Sequence, residues 1–483
     1  MITIIKTLLL FVQFFNYTIQ GKNVIHRVFL FIILFITPFL NWTGLFLDYE
    51  LPKLLFFRIC VELWFVVTIL IDKSFLESVV SYLKNNFTYF VILAVVLVIN
   101  FISAADKDLF WWGSYYKGFG LFTLLHFGLL ACLVAYTLRS RIVSFGRDFV
   151  IIIKAVLIIM FCISLYQLCF TDILLLSEGR WIGTFGQPNF LGIFALMLLP
   201  FVVKKGITNV MAVISAILII IFSQSRIGLG LLACFIALYL FVIFKKQKYK
   251  FVMAGIVMLV ALILIITNTR FGELNLLTDF RLNIWEASIK VISENPIFGV
   301  GLDNSILYLS DALKAQGIQG DLVLDRAHNE ILDWIIYLGI PSTICVVFVF
   351  LYKSLGLYSS ASKHSKSIMP YHVSLVMWFA YSMVNNNSIW NYIWIVFLII
   401  SIRNYLKLNG KQQKLLKYQL TGYWYMILNI SVILAVIMAI LINVSQLGGD
   451  MNFEKFLDSG DENYLERAIK LRPYESIYKN YSD

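Results

Sequence analysis

Arg281-Leu-Asn-Ile-Trp285, Asn295-Pro-Ile-Phe-Gly-Val-Gly301 and Ala327-His-Asn-Glu-Ile-Leu-Asp333 punctuate a polar island running from about Thr267 to Asn329. Continuous apolar runs flank it, over 251–267 and 330–352. Runs of about 17–25 apolar residues are long enough to cross a bilayer as helices. A spanning barrel would instead show alternating segments of about ten residues. The island therefore reads as a long loop between two membrane helices. Loops of this length are usually functional or disordered. The aromatic and aliphatic anchors and turn glycines of this one argue against disorder.

Working outward, the whole chain fits that frame. It is 60% hydrophobic and only 14% charged, whereas a soluble domain is about half apolar and a quarter charged. Apolar runs fall near 25–47, 54–71, 87–103, 119–138, 149–170, 188–203, 209–222, 227–244, 251–267, 330–352, 370–384, 389–402 and 423–446. This predicts an all-α, polytopic transmembrane protein of about 12–14 spans, with a large extracytoplasmic loop between the ninth and tenth spans. The expected division is transmembrane helices over 1–267, the loop over 268–329, further transmembrane helices over 330–446 and an extracytoplasmic helical tail over 447–483. Residues 1–20 read as an interfacial helix or an extra span, since no small-residue cleavage site marks a signal peptide.

The formal charge of +11 does not point to nucleic acid, because the positive charge segregates by membrane side. One alternating set of short loops carries 21 Lys/Arg and the opposite set 5. Positive loops stay in the cytoplasm, so the island and the tail are expected outside. The six cysteines all lie in apolar runs and form no CxxC pair, so they read as small buried hydrophobes. No phosphate-binding GxxxxGK[ST] loop, HExxH or GxSxG is present.

The unusual residues collect on the predicted outer face. One loop reads Phe110-Trp-Trp-Gly-Ser-Tyr-Tyr-Lys-Gly118, another Arg180-Trp-Ile-Gly-Thr-Phe-Gly-Gln-Pro-Asn189, and a tight link is Ser223-Gln-Ser-Arg226. Trp111, Trp112, Tyr115, Tyr116 and Trp181 suit sugar stacking and an interfacial aromatic belt equally. Asp106 and Asp108 form a DxD that reads first as a solvated acidic turn. The segment Tyr464–Tyr474 reads as a small packed appendage or a partner-docking helix.

Gly183-Thr-Phe-Gly-Gln-Pro-Asn-Phe190, the Ser223–Arg226 turn, Arg281 with Trp285, Pro296-Ile-Phe-Gly-Val-Gly301 and His328-Asn329 with Gly339 are collinear over roughly residues 110–340. Together with Trp112–Gly118 they resemble the O-antigen ligase and polymerase superfamily of bacterial membrane glycan ligases. The resemblance implies transfer of a glycan from an undecaprenyl-diphosphate donor to a glycan, lipid or protein acceptor. That transfer would take place at the outer face of the cytoplasmic membrane, without a metal or other cofactor. On this reading Arg226, Arg281 and Arg180 hold the donor diphosphate, to which arginine presents a permanently charged, forked donor. His328 is the expected catalytic base, since an imidazole can take a proton from an acceptor hydroxyl. Asn329, Glu330 and Trp285 are expected to support it, although Glu330 equally suits a first-turn carboxylate favoured by the helix dipole. A polymerase joining repeat units and a polysaccharide transporter are the alternatives. Few charges lie within the apolar runs beyond Arg58 and Glu62, which favours surface chemistry over alternating access.

Overall fold

The computed structural model describes residues 23–138, 142–170, 179–203, 206–243, 255, 274–318, 324–358, 368–408, 422–479 and 481. The first twenty residues, the basic loop 245–250 and, Gly255 apart, the ninth apolar run lie outside them. The chain is all-helical, with no strand among the described residues. In lipid a backbone can satisfy its polar groups only within helices or a closed barrel.

The first half of the chain comprises α1 (Asn23–Phe31), α2 (Glu50–Ile71), α3 (Lys73–Asn85), α4 (Phe87–Ser103), short α5 (Lys107–Trp112), α6 (Leu121–Leu138), α7 (Ile142–Phe170), α8 (Pro188–Val202), α9 (Ile207–Phe222) and α10 (Arg226–Ile243). The island contributes α11 (Leu274–Glu294) and α12 (Ile306–Lys314). Then come α13 (Glu330–Tyr358), α14 (Met369–Ser382), α15 (Ile389–Leu408), the long α16 (Gly422–Ser459), and the tail helices α17 (Glu462–Leu471) and α18 (Ser476–Lys479). Five of these are long and apolar enough to cross a membrane, or six if the bent α3–α4 pair is one span, and five shorter apolar helices accompany them. Lipid-facing side chains such as Phe87 and Ile102 on α4 remain exposed, as expected where the solvent is hydrocarbon.

The expected runs coincide with helices wherever the structure describes them, with one difference. The run 25–47 is helical only to Phe39, through a π turn (Ile32–Ile36) and a 3₁₀ turn (Thr37–Phe39). Pro38 lacks an amide hydrogen and its ring clashes with the preceding turn. The chain is extended at Leu40, and residues 40–49 form a loop instead. Pro188, by contrast, opens α8 at the position where a missing N–H is harmless.

Buried polar contacts tie the helices to their loops. Arg58 on α2 is fully enclosed and donates to Gln446 Oε1 (2.9 Å) and Asn443 Oδ1 (3.4 Å) on α16, and to the Gly118 carbonyl (3.3 Å). Glu62, one turn along, accepts from Asn443 Nδ2 (2.9 Å) and meets His126 Nε2 at 2.7 Å. Both side chains therefore find their partners on neighbouring helices, α16 and α6, and on the loop ending at Gly118. The tail packs over the same loop. Trp112 stacks on Tyr474 at 5.0 Å, Tyr115 donates to Asp450, and α17 seats Leu465 and Ala468 against α16. Residues 464–474 are thus part of a packed appendage.

Candidate active site

The island is clamped by its own glycine-rich segment. Val300 N–H donates to the Ile336 carbonyl (2.8 Å), Gly301 N–H to Tyr337 (3.1 Å) and Ile340 N–H back to Pro296 (2.8 Å). This ladder fits because α13 breaks at Gly339, at φ 76° and ψ 167°. A side chain there would place Cβ 2.2 Å from the Ile297 carbonyl oxygen. Asp303, fully buried, then accepts from the Ser114 amide (2.7 Å), Ser114 Oγ (3.0 Å) and the Phe119 amide (3.1 Å). Lys117 donates to the Tyr337 hydroxyl (3.0 Å), which faces Asp303 Oδ1 (3.4 Å). Asn304 bonds both backbone groups of Asp106. Asp106 itself caps α5, accepting from the Asp108 and Leu109 amides, so the DxD closes a helix end.

His328 sits at φ 54° in the left-handed region, on the turn that starts α13. Both flanks are fixed. Asn329 caps the helix, accepting from the Ile331 (3.0 Å) and Leu332 (3.2 Å) amides, and donates to the Met383 carbonyl (2.9 Å). Asp333 reaches back to the Ala327 amide at 2.7 Å. Among the described residues no side chain hydrogen-bonds the imidazole, which is only partly buried. Burial and the neighbouring Arg326 push its pKa down to about 4; Asp325 opposes them, and Arg281 and Lys117 add to the fall. At neutral pH the ring is therefore uncharged and able to accept a proton.

The predicted arginines lie on adjoining elements. Arg281, on α11, donates from Nη2 to Asn385 Oδ1 at 2.8 Å. Burial lowers its pKa, and the charge of nearby Arg226 lowers it further, yet a guanidinium stays charged at any working pH. Arg226 opens α10 directly after a turn in which Gln224 takes φ 50°. Ser223 and Ser225 bury that turn against Gly192, where a Cβ would meet Ser223 Oγ at 2.9 Å. Arg180 neighbours the same turn, because Trp181 N–H donates to the Phe222 carbonyl (3.1 Å) and its ring stacks on Phe222 at 4.6 Å. Arg281 thus feels both Arg226 and, through the field between them, His328.

The supporting residues are differently employed. Glu330 accepts from Trp334 Nε1 (3.0 Å), the Tyr392 hydroxyl (2.9 Å) and Asn387 Nδ2 (3.2 Å), which commits both its oxygens to the scaffold. Trp285 packs on the island's core with Ile284 and Ala287 nearby. Sequence reading did not single out Arg326, Asp303 or Asn385. Burial pushes the Asp325 carboxyl up, but the Arg326 guanidinium paired with it more than offsets this and holds it below its usual range.

Beside this cluster lies a cleft of about 490 Å³. Lys117 and Arg326 line it, and His328 and the three predicted arginines do not. Its walls come from the 46–50 loop, residues 116–119, the start of α8 and the turn before α15. Burial pushes the Asp48 carboxyl up to about 6, with Lys53 pulling it back down. Of the predicted stacking aromatics only Tyr116 faces the cleft. Trp181 and Tyr115 are buried in packing contacts.

Residues 211–347 match the family model described as O-antigen ligase. The matched segment holds Arg226, Arg281, His328, the glycine ladder and Gly339, and stops short of Arg180 and the 110–118 loop. No curated protein matches the chain.

Proposed function

We propose that this chain, whose residues 211–347 match the O-antigen ligase family model, moves a glycan from an undecaprenyl-diphosphate donor to an acceptor hydroxyl. That match supports the coarser statement, that it is a membrane protein acting on lipid-linked glycans. The finer reading is carried by one geometric observation: the 383–385 turn holds Arg281 through Asn385 (2.8 Å) and Asn329, the neighbour of His328, through the Met383 carbonyl (2.9 Å). A guanidinium suited to a diphosphate and a proton acceptor are thereby anchored on one turn.

In this mechanism neutral His328 takes the proton of the acceptor hydroxyl as its oxygen attacks the anomeric carbon. The bond from that carbon to the diphosphate breaks, and undecaprenyl diphosphate departs with the electron pair. Arg226 and Arg281, with Arg180 at the edge, meet the charge that grows on the leaving oxygens. The same diphosphate would offset the cations that depress His328, so donor binding makes the base stronger when it is needed. The arginines supply the positive charge the step requires, so the scheme calls for no metal. The segregation of Lys/Arg favours placing the site at the outer face of the bacterial cytoplasmic membrane.

The test is reconstitution of the full chain in lipid with lipid-linked glycan and candidate acceptors, wild type beside His328→Ala. Release of undecaprenyl diphosphate with formation of a new glycoside, lost in the variant and unaffected by chelator, supports the reading. A ladder of product sizes would identify a polymerase and a single capped product a ligase. Movement of intact donor between leaflets without any product would replace the reading with transport.

A further inference from the structure

The cleft beside the cationic cluster contains none of the residues assigned above to the reaction, and its chemistry is of another kind. Its cations are Lys117 and Arg326; the rest of the lining includes carboxyls, the amides of Gln187, Asn386 and Asn387, and aromatic rings. Gln187 Oε1 is buried without a hydrogen-bond partner, whereas Glu50 is committed, its Oε1 facing Lys53 Nζ at 3.9 Å and its Oε2 accepting from the Ile389 amide at 2.9 Å. Buried acceptors are nearly always satisfied, so such exceptions ask for a ligand that donates. Gln187 sits ahead of α8 without using its side chain as a cap. Asp48 and Glu50 together disfavour a second diphosphate. Tyr116, which is exposed, offers its ring to the same space, while Phe119 lies behind it under Lys117. The volume falls within the range of about 300–1,000 Å³ usual for small-molecule pockets.

We propose that this cleft is a saccharide subsite, in which Gln187 and Asp48 accept hydrogen bonds from sugar hydroxyls while Tyr116 covers a ring face. A polyhydroxylated ring supplies the donor that Gln187 Oε1 lacks and brings an apolar C–H face to Tyr116. The position fits either of the two reacting glycans: Arg326 is both a wall of the cleft and the strongest charged neighbour of His328. The inference rests on the transferase reading only for which glycan is seated; the binding chemistry stands without it.

The experiment separates the two. The full chain in lipid nanodiscs is titrated by saturation-transfer NMR with the saccharide freed from the donor by mild acid. It is titrated separately with the deacylated saccharide of the acceptor. Neither probe carries diphosphate, so turnover is not needed. Asp48→Asn and Gln187→Leu, checked for unchanged melting, are each expected to weaken binding about ten-fold, the scale of one lost hydrogen bond. His328→Ala is expected to leave binding intact. Weakening confined to the acceptor saccharide assigns the cleft to the acceptor, and weakening confined to the donor saccharide assigns it to the donor. Wild-type affinity in both cleft variants, or no binding of either saccharide to wild type, overturns the proposal. Saccharide binding without turnover would instead sink the transferase reading and leave the cleft standing.

Discussion

Arg281 donates to Asn385 across 2.8 Å, tying the island helix to the turn between α14 and α15. Asn385 is buried, so the guanidinium is aimed by a group packed inside the protein. Substituting Arg281 by Ala is expected to lower kcat by about 10²–10³, the usual loss when one stabilising donor is removed. Arg281→Lys should recover little, because a point charge cannot reproduce the fork. Asn385→Ala should cost less, as the charge remains but is no longer held. Undecaprenyl diphosphate release in reconstituted vesicles measures all three. Equal activity in Arg281→Lys and wild type would refute the bidentate role.

On the proposed mechanism His328 acts as the base in its neutral form, which is present above its pKa of about 4 and lost as pH falls through that value. The acid limb of kcat/KM, which reports the free enzyme, is therefore expected near pH 4. The limb of kcat reports the donor complex and should lie at higher pH, since bound diphosphate offsets Arg326, Arg281 and Lys117. Identical limbs in both profiles would show that the diphosphate does not sit in the field of His328.

Much of this arrangement was legible in the sequence because it rests on local signals. Apolar runs mark most of the helices, and Arg226, Arg281 and His328 stand out as polar residues at helix starts or within the island. What was missed depends on contacts distant in sequence. Asp303 meets Ser114 across 189 residues, and its only local signal is a polar pair placed directly after the Gly299–Gly301 turn. The cleft gathers residues from 46 to 392, so no spacing along the chain reveals it. The loop that forms one of its walls was hidden inside the run 25–47, because composition does not register where Pro38 stops the helix.

Asp303→Ala should destabilise the protein without touching the reacting groups. It would leave the buried amides of Ser114 and Phe119 without an acceptor, at about 1–3 kcal/mol for each unsatisfied group. A melting temperature lowered by several degrees in detergent is expected. Loosening of the 113–119 loop would also free Lys117 from Tyr337. An unchanged melt would mean that the loop holds its place by packing alone.

The break in α13 gives the sharpest contrast between two glycines. Gly339→Ala would set a Cβ 2.2 Å from the Ile297 carbonyl oxygen at a backbone angle of φ 76°, a conformation L-residues avoid. The ladder between residues 296–301 and 336–340 would have to open, carrying the island and the His328 turn with it. Loss of activity and poor yield of folded protein are expected. Gly230→Ala, on α10, meets nothing within 4 Å and should be neutral or stabilise by up to about 1 kcal/mol, the usual gain over glycine inside a helix. Thermal melts and transfer assays on the pair decide the point. If Gly339→Ala behaves like Gly230→Ala, the broken helix is not what holds residues 296–301 against α13.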